Sequence, residues 1–290
     1  PSICAGLFYG EHHAINGLAV TSAITILFAA FVLRRYRNYS VKLNIRDGFF
    51  VAFLSWWLVC LLGSLPYFFA GLDFNFIDSL FESTAGWTTS GAFIIPIRRM
   101  PNALLLWKAT SNWLGGMGIL VFTISLLPTL GKGAQNLAAS ETTGPKLTKF
   151  SSRLSDSSKI SYIIYCSLTL LELILLLCDR SMSNFHAVIN TLSTVSTAGI
   201  FDVGGEIAWS FTPYAKFVIS VFSVIGAMNF IIFFLIVTGN IRRAFSNLEA
   251  RAYLIILSVA SVLIFINLLI ADQYPALKSL GYAITQSISF

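Results

Sequence analysis

Two stretches of the chain repeat one short pattern of hydroxyl-bearing and small residues that ends in glycine. The residues are Thr88, Thr89, Ser90 and Gly91 in the first copy, and Ser196, Thr197, Ala198 and Gly199 in the second. A shift of 108 positions superposes Thr89 on Thr197 and Gly91 on Gly199. Backbone carbonyls of an extended segment can replace the hydration shell of a monovalent cation, and glycine permits the φ values that such a segment needs. The pattern therefore predicts a cation site built from main-chain oxygens, with the hydroxyls either adding ligands or bonding behind it.

Each pattern follows an apolar stretch that is too short to cross a membrane as a helix. Such half-spans run over about 76–87 and 184–195, and a third runs over about 276–290. Non-helical backbone is tolerated at membrane depth only where it lines a protected or watery cavity, so half-spans of this kind are typical of re-entrant segments. A half-helix would point its C-terminus, which carries about half a negative charge, at the segment that follows it. This arrangement favours a cation.

Long apolar blocks surround the half-spans. A membrane-crossing helix needs about 20 apolar residues, and six blocks qualify, at about 14–33, 49–70, 103–128, 160–178, 214–238 and 252–271. The 290 residues are 56% apolar and only 11% charged, whereas about a quarter of the residues in a soluble domain are charged. The composition excludes a soluble globular enzyme and a disordered tail. It predicts an all-α integral membrane protein with repeated span–re-entrant half-helix–span units.

The basic residues predict the orientation of the spans. Of the 19 Lys and Arg residues, 13 follow the first, third and fifth spans, and six are assigned to the opposite side. The positive-inside rule places the larger set in the cytoplasm, so the half-spans would enter from the outside. The net charge of +6 is then a signal of topology. Nucleic-acid binding would need an exposed basic domain, and the sequence contains none.

The same pattern divides the chain into five parts. Only two filter segments are present, so we expect the chain to be a fragment of a longer protein. The parts are 1–46, an N-terminal extra transmembrane helix and basic cytoplasmic loop; 47–130, the first pore unit, with its filter at 88–92; 131–159, a cytoplasmic loop; 160–241, the second pore unit, with its filter at 196–200; and 242–290, the start of a third pore unit, truncated before its filter.

Several motifs, taken in order, resemble one family. They are Arg46-Asp-Gly-Phe49, Leu65-Pro-Tyr67, Phe81-Glu-Ser83 with Thr88-Thr-Ser-Gly91, and Trp113-Leu-Gly-Gly-Met-Gly-Ile119. Together they resemble the TrkH/TrkG potassium uptake proteins of bacteria, which belong with the Ktr and HKT transporters. The resemblance extends over nearly the whole chain, and the extra span before Arg46 favours the TrkH branch over KtrB.

The resemblance implies a K⁺-channel-like pore in which four units each supply one filter segment of carbonyl ligands. Carried over to this sequence, residues 88–91 and 196–199 would bind K⁺, and Gly91 lies where some plant relatives that prefer sodium carry serine. The implied function is potassium uptake across the bacterial inner membrane by the pore-forming subunit of a Trk-type system. Three alternatives stay open: an ion-coupled symporter that uses Na⁺ or H⁺, a polytopic membrane enzyme, and a non-conducting scaffold or sensor. K⁺ is the transported ion, and neither a cofactor nor an enzymatic activity is implied.

The resemblance also implies partners. We expect a homodimer in the lipid membrane and a cytosolic, nucleotide-binding regulatory subunit of the TrkA type. That subunit would dock on cytoplasmic surfaces, which could include the loop 131–159.

Four polar residues at membrane depth are further candidates. Glu82, Asn112 and Asn229 are predicted to support the filter, the asparagines by bonding a neighbouring helix or the back of the filter segment. Glu172 is the one carboxylate well inside a predicted span, and intramembrane ionisable residues are functional candidates by default. A structural role for Glu172 stays equally open.

Overall fold

The structure is a computed structural model that describes residues 1–37, 45–71, 74–126, 154–199, 211–237, 239–242, 246–271 and 275–289. Most of the predicted cytoplasmic loop 131–159, and Ile200 at the end of the second predicted filter, lie outside the described residues. Within the described ranges all regular structure is helical. This confirms the all-α prediction.

The described helices fall into two compact units. The first unit extends from Pro1 to Phe122 and contains α1 (Ser2–Tyr9), α2 (His12–Tyr36), α3 (Ile45–Phe69), α4 (Phe76–Trp87) and most of α5 (Asn102–Leu126), with a 3₁₀ turn at Ile97–Arg99. The second unit contains α6 (Leu154–Leu177), α7 (Asn184–Val195), α8 (Pro213–Ala227), α9 (Phe230–Val237), α10 (Leu248–Ile270) and α11 (Ala276–Ser289).

The short helices α4 and α7 have the bounds that the sequence predicts for the first two half-spans. Each begins at a polar cap: the side chain of Asn75 accepts from the backbone N–H of Asp78, and that of Ser183 accepts from the N–H of His186. Such caps satisfy donors that the first helical turn leaves unpaired. Helix α4 packs against α3, and α7 packs against α6 and α8. Each short helix therefore lies beside the long helix that precedes it in the chain.

Four described helical stretches are long and apolar enough to cross a membrane. The most apolar is α10, which has a mean hydropathy of 2.7 and no buried residue in its most apolar window. Its side chains Ile256, Leu263 and Ile270 are 68%, 63% and 81% exposed. A continuous apolar surface of this kind is unfavourable in water but suits hydrocarbon. The stretches are His12–Tyr36, Phe50–Phe69, Lys159–Leu177 and Leu248–Ile270.

The structure divides the predicted span 214–238 into two helices. Helix α8 ends at Ala227, Met228 has extended backbone torsions (φ −74°, ψ 149°), and α9 begins at Phe230. Asn229 lies at the break, and its Nδ2 donates to Oε2 of Glu249 at the start of α10 over 3.1 Å. Hydropathy alone does not reveal this break because a single asparagine scarcely changes the average of a 25-residue apolar run.

The N-terminus of α5 is capped by a side chain from the beginning of the chain. Glu11 Oε1 accepts from the backbone N–H of Asn102 over 2.8 Å, and Oε2 accepts from the N–H of Ala103 over 2.9 Å. These N–H groups have no partner within the helix, and the carboxylate also lies where the helix dipole is positive. Glu11 thus fixes the start of α5 relative to the start of α2.

The N-terminus of α8 is anchored in a related way. Thr212 donates its hydroxyl to Asp179, and the Thr212 Oγ1 accepts from the N–H of Ala215 over 3.1 Å. The hydroxyls of Thr212 and Ser181 hold the pKa of the Asp179 carboxyl below its usual range. A carboxyl whose pKa is lowered by folding adds stability above its ordinary pKa, and this contribution is lost as the pH falls through the lowered value.

Removal of the Glu11 cap is expected to destabilise the protein. Glu11→Ala should lower the free energy of unfolding by about 1 kcal/mol because two N–H groups of α5 lose their acceptor. Glu11→Gln keeps one acceptor oxygen and should lose less. Thermal unfolding of the purified full-length protein in detergent measures both changes, and an unchanged midpoint for Glu11→Ala would contradict the cap.

Candidate functional site

Segment 88–91 follows the last turn of α4, and two hydrogen bonds tie its backbone to that helix. The N–H of Thr89 donates to the carbonyl of Gly86, and the N–H of Ser90 donates to the carbonyl of Ala85, each over 3.1 Å. This pair of bonds is a Schellman motif, in which one residue adopts the left-handed conformation and is usually glycine. Thr89 occupies that position, with φ 54°.

Segment 196–199 ends α7 with the same bonds. The N–H of Thr197 donates to the carbonyl of Thr194, and the N–H of Ala198 donates to the carbonyl of Ser193, each over 3.0 Å. Thr197 has φ 60°. The shift of 108 positions therefore superposes the hydrogen bonds as well as the residues.

Both segments continue with φ angles that alternate in sign. Ser90 and Ala198 have negative φ, each between two residues with positive φ. The other values are −86° at Thr88, 54° at Thr89 and 68° at Gly91 in the first segment, and −80° at Ser196, 60° at Thr197 and 84° at Gly199 in the second.

Thr89 and Thr197 are the two non-glycine residues with positive φ in the part of the chain that the structure describes. For an L-residue the left-handed conformation costs about 1–2 kcal/mol, and a β-branched side chain makes it rarer still. Glycine would end the helix without this cost. Two threonines at one equivalent position indicate a role besides helix termination, because strain of this kind persists mostly at functional sites.

The hydroxyls at the start of each segment bond backward into the short helices. Thr88 Oγ1 donates to the carbonyl of Thr84 over 2.7 Å, and Ser196 Oγ donates to the carbonyl of Ser193 over 2.9 Å. In the second unit, Ser193 Oγ also donates to the carbonyl of Gly199 over 2.6 Å. The sequence predicts that the hydroxyls either add ligands or bond behind the segment. Those of Thr88 and Ser196, the first residue of each segment, bond behind it.

Glycines bring the following long helix close to the end of each short helix. A Cβ added to Gly115 of α5 would lie 2.1 Å from the carbonyl oxygen of Trp87, and one added to Gly226 of α8 would lie 3.2 Å from that of Val195. Trp87 and Val195 are the last residues of α4 and α7. Only a residue without a side chain allows the contact at Gly115. The helix–helix packing that positions the two segments is therefore equivalent in both units.

The chain beyond segment 88–91 is fixed by a buried ion pair. Glu82 of α4 and Lys108 of α5 form a salt bridge, and both side chains are fully buried. Lys108 Nζ also donates to the carbonyl of Ala92 over 2.8 Å. Glu82 Oε2 accepts from the N–H groups of Ile94 and Ile95 over 3.1 Å and 3.3 Å. The pair thus satisfies backbone groups of residues 92–95 from two sides.

Lys108 makes one more contact in this region. Its Nζ lies over the ring of Phe93, 3.6 Å from the centroid, in the geometry of a cation–π interaction. In the second unit, the positions equivalent to Glu82 and Lys108 carry Asn190 and Ile219, at shifts of 108 and 111 residues. The two units therefore share a backbone geometry but hold it with different side chains.

The structure brings some of the predicted supporting residues to the segments and leaves others apart. Glu82 lies directly beside the residues that follow segment 88–91. Asn112 is buried against Gly86 of α4, and its amide makes no hydrogen bond with the described residues. Asn229 bonds Glu249 at the break between α8 and α9.

Lys108 is the site residue that sequence reasoning missed, because the orientation argument assigned it to an outer loop. The sequence nevertheless contains a signal for the Glu82–Lys108 pair. Lys108 falls within the predicted span 103–128, and Glu82 falls within a predicted half-span. Opposite charges at membrane depth are rare and usually pair with one another.

Breaking the Glu82–Lys108 pair is expected to destabilise the protein strongly. Lys108→Met and Glu82→Gln should each cost about 3 kcal/mol or more, because the remaining buried group loses its partner. The double variant should lose less than the sum of the two single changes. Lys159→Met, at an exposed lysine of α6, is the control and should change stability by less than about 0.5 kcal/mol. Thermal unfolding in detergent measures the cycle, and additive losses would contradict a direct pairing.

The chain is similar in sequence and in structure to proteins named as potassium transporters. The chain is 32% identical over 280 residues to the Trk system potassium uptake protein TrkH of Halomonas elongata, covering 94% of the chain and 58% of that protein. It is 31% identical over 263 residues to the Trk system potassium uptake protein TrkG of Escherichia coli, covering 88% and 53%. The crystal structure of the potassium transporter TrkH from Vibrio parahaemolyticus matches with a TM-score of 0.71 and 25% identity, over 97% of this chain and 64% of that one.

The chain thus spans a little more than half the length of these curated relatives. A sequence profile of the TrkH family, described as cation transport protein, matches residues 16–286. The match covers nearly the whole chain, including both repeated segments and all six predicted spans. The chain belongs to the TrkH family of cation transport proteins.

Proposed function

We propose that the protein containing this chain takes up potassium ions across the bacterial inner membrane, with segments 88–91 and 196–199 forming two parts of its selectivity filter. The single observation that carries the proposal is the alternation of φ at equivalent positions of both segments. Membership of a cation transport family and the names of the relatives support the same function.

Alternating φ signs matter because of what they do to carbonyl groups. In an ordinary strand each residue has negative φ, and successive carbonyls point to opposite sides. When residues of right-handed and left-handed conformation alternate, successive peptide planes turn the same way, and several carbonyls can face one side. A column of such oxygens replaces the water that K⁺ gives up on entry. Gly91 and Gly199 adopt positive φ without cost.

The short helices supply a suitable electrostatic field. Both segments follow the C-terminus of their helix, where unpaired carbonyls carry a partial negative charge. This charge attracts cations and repels anions. The first hydroxyls bond backward, at Thr88 and Ser196, which leaves main-chain oxygens as the principal candidates for K⁺ ligands.

The complete protein would contain further units of the same kind. The family resemblance implies four span–half-helix–span units around one pore, with α4 and α7 as re-entrant half-helices and α11 as the third. It further implies a homodimer and a cytosolic, nucleotide-binding regulatory subunit of the TrkA type. K⁺ is the transported ion, and transport by this route needs no cofactor.

Restoration of potassium uptake tests the proposal directly. The full-length protein should restore growth of a potassium-uptake-deficient bacterium on low K⁺ and should carry rubidium tracer into proteoliposomes. Gly91→Ser should lower the preference for K⁺ over Na⁺, because a side chain at φ 68° disturbs the alternation. Unchanged Na⁺/K⁺ discrimination in Gly91→Ser would contradict the filter assignment.

The threonines with positive φ offer a test that separates transport from stability. Thr89→Gly and Thr197→Gly should each raise the free energy of unfolding by about 1 kcal/mol, because the left-handed conformation no longer carries its cost. They should nevertheless reduce K⁺ selectivity, because glycine lets the peptide groups of the filter turn. Thr89→Ser, which keeps the hydroxyl and the Cβ, should preserve more selectivity than Thr89→Gly. Thermal unfolding and tracer competition between Rb⁺ and Na⁺ measure the two effects, and full selectivity in both glycine variants would argue that the threonines only terminate helices.

A further inference from the structure

The second unit buries an acidic side chain that has no cationic partner among the residues that the structure describes. Glu172 lies in α6, within the membrane-crossing stretch Lys159–Leu177, and is fully buried. Neither of its carboxyl oxygens makes a hydrogen bond of ordinary geometry. An ionisable group at this depth is expensive unless something neutralises it.

The short helix that carries segment 196–199 supplies a polar partner to Glu172. The Thr194 hydroxyl interacts with its carboxyl. Asn190 Oδ1, Thr191 Oγ1 and Thr194 Oγ1 are buried and, like the carboxyl, make no hydrogen bond of ordinary geometry with the described residues. Spacings of three and four residues place these three side chains on one face of α7. One turn toward the helix start, Ala187 on the same face joins a core cluster with Leu176, one turn beyond Glu172 on α6.

The buried acid of the first unit, unlike Glu172, has a cationic partner among the described residues. There the buried acid is Glu82 of the short helix, and Lys108 neutralises it. In the second unit the equivalent positions carry the neutral residues Asn190 and Ile219, and the acid lies on the long helix at the position of Ser64 in the first unit. The position equivalent to Lys108 therefore supplies no cation to Glu172.

No other described charged group takes the place of that lysine. Tyr165, on the same face of α6, lies two turns from Glu172, about 10 Å along the helix. His186 bonds Ser183 at the start of α7, and the Tyr214 hydroxyl donates to the carbonyl of Leu175. Helix α6 packs against α7, α8 and α9. Besides Glu172, the described titratable or charged side chains on these four helices are Lys159, Tyr162, Tyr165, Cys166, His186, Tyr214 and Lys216, and none of them is on α9.

We propose that Glu172 is a proton-binding site behind segment 196–199, and that cation flux through the filter depends on whether the proton is bound. The inference rests on the proposed potassium transport. A buried carboxylate without a counter-charge is strongly unfavourable, so a mobile positive charge must balance it. A proton does so within one O–H bond and needs no coordination shell. Its release leaves the carboxylate behind and transfers H⁺ to water, with no other bond changed.

Thr194 links the site to the filter. Its hydroxyl interacts with Glu172, and its carbonyl accepts from the N–H of Thr197, the residue with φ 60°. Gly226 of α8 lies close to the same carbonyl. Ionised Glu172 would draw water between α6 and α7 and disturb this last turn. We therefore expect the filter to keep its described form when the proton is bound and to conduct less well when it is lost.

The test uses the complete protein in proteoliposomes, with rubidium tracer flux measured over a range of pH set equal on both sides. Wild-type flux should fall as the pH rises, by at most about tenfold per pH unit above the midpoint, the limit for one titrating group. Glu172→Gln, which imitates the protonated carboxyl, should conduct at every pH without this decline. Glu172→Asp should keep the decline with a displaced midpoint. Asp78→Asn, at a half-buried carboxylate of α4, is the matched control and should behave like the wild type.

A second variant tests the proposal if Glu172→Gln does not fold, and a second measurement tests it without flux. If Glu172→Gln does not fold, Thr194→Val should move the midpoint to higher pH, because the ionised carboxyl loses its interaction with the Thr194 hydroxyl. The infrared difference spectrum between acid and alkaline samples should contain a protonated-carboxyl band that Glu172→Gln removes. This band tests the site even if the wild type carries no rubidium, a result that would refute the proposed transport function instead.

Three results would overturn the proposal. The first is a pH profile in Glu172→Gln that matches the wild type. The second is an unmoved midpoint in Thr194→Val. The third is wild-type flux that responds to Na⁺ but not to pH, with the response lost in Glu172→Gln, since the neutralising ion would then be sodium.

Discussion

Non-helical backbone that packs within a protein must find partners for its polar groups, and both units meet this constraint with similar contacts. Segment 88–91 meets it through two bonds to the end of α4, and residues 92–95 meet it through Glu82 and Lys108. Segment 196–199 uses the same two bonds to α7 and the Ser193 hydroxyl. The short helices, their caps and the glycine contacts of α5 and α8 all serve to present these few residues.

The two units solve the problem with different electrostatics. The first neutralises its buried acid with a lysine, so the charge balance is built into the chain and cannot change with conditions. The second has Asn190 and Ile219 at those positions and carries Glu172 on the neighbouring helix. A fixed pair is suited to holding a backbone in place. A carboxyl without a counter-charge is suited to responding to an ion.

Glycine and threonine both occupy positions where the backbone has positive φ, but at different places in the two segments. Glycine occupies the position of closest helix approach at Gly115 and the last positive φ at Gly91. Threonine occupies the left-handed position of the Schellman motifs that end α4 and α7, where glycine would cost less. A β-branched residue there restricts rotation of the adjacent peptides. Such a choice favours a rigid backbone after the helix over the stability of the helix end.

Much of this protein follows from local sequence pattern. The repeat at a shift of 108 residues, the bounds of α4 and α7, the apolar spans and the family are all readable from the chain, because helix length, caps and hydropathy are properties of neighbouring residues. The tertiary structure alone decided the pairing of Lys108 with Glu82, 26 residues apart, and the capping of α5 by Glu11, 91 residues away. It also decided the break at Met228, beside which Asn229 bonds Glu249. Such contacts depend on how helices pack, and no periodicity along the chain records which side chains will meet.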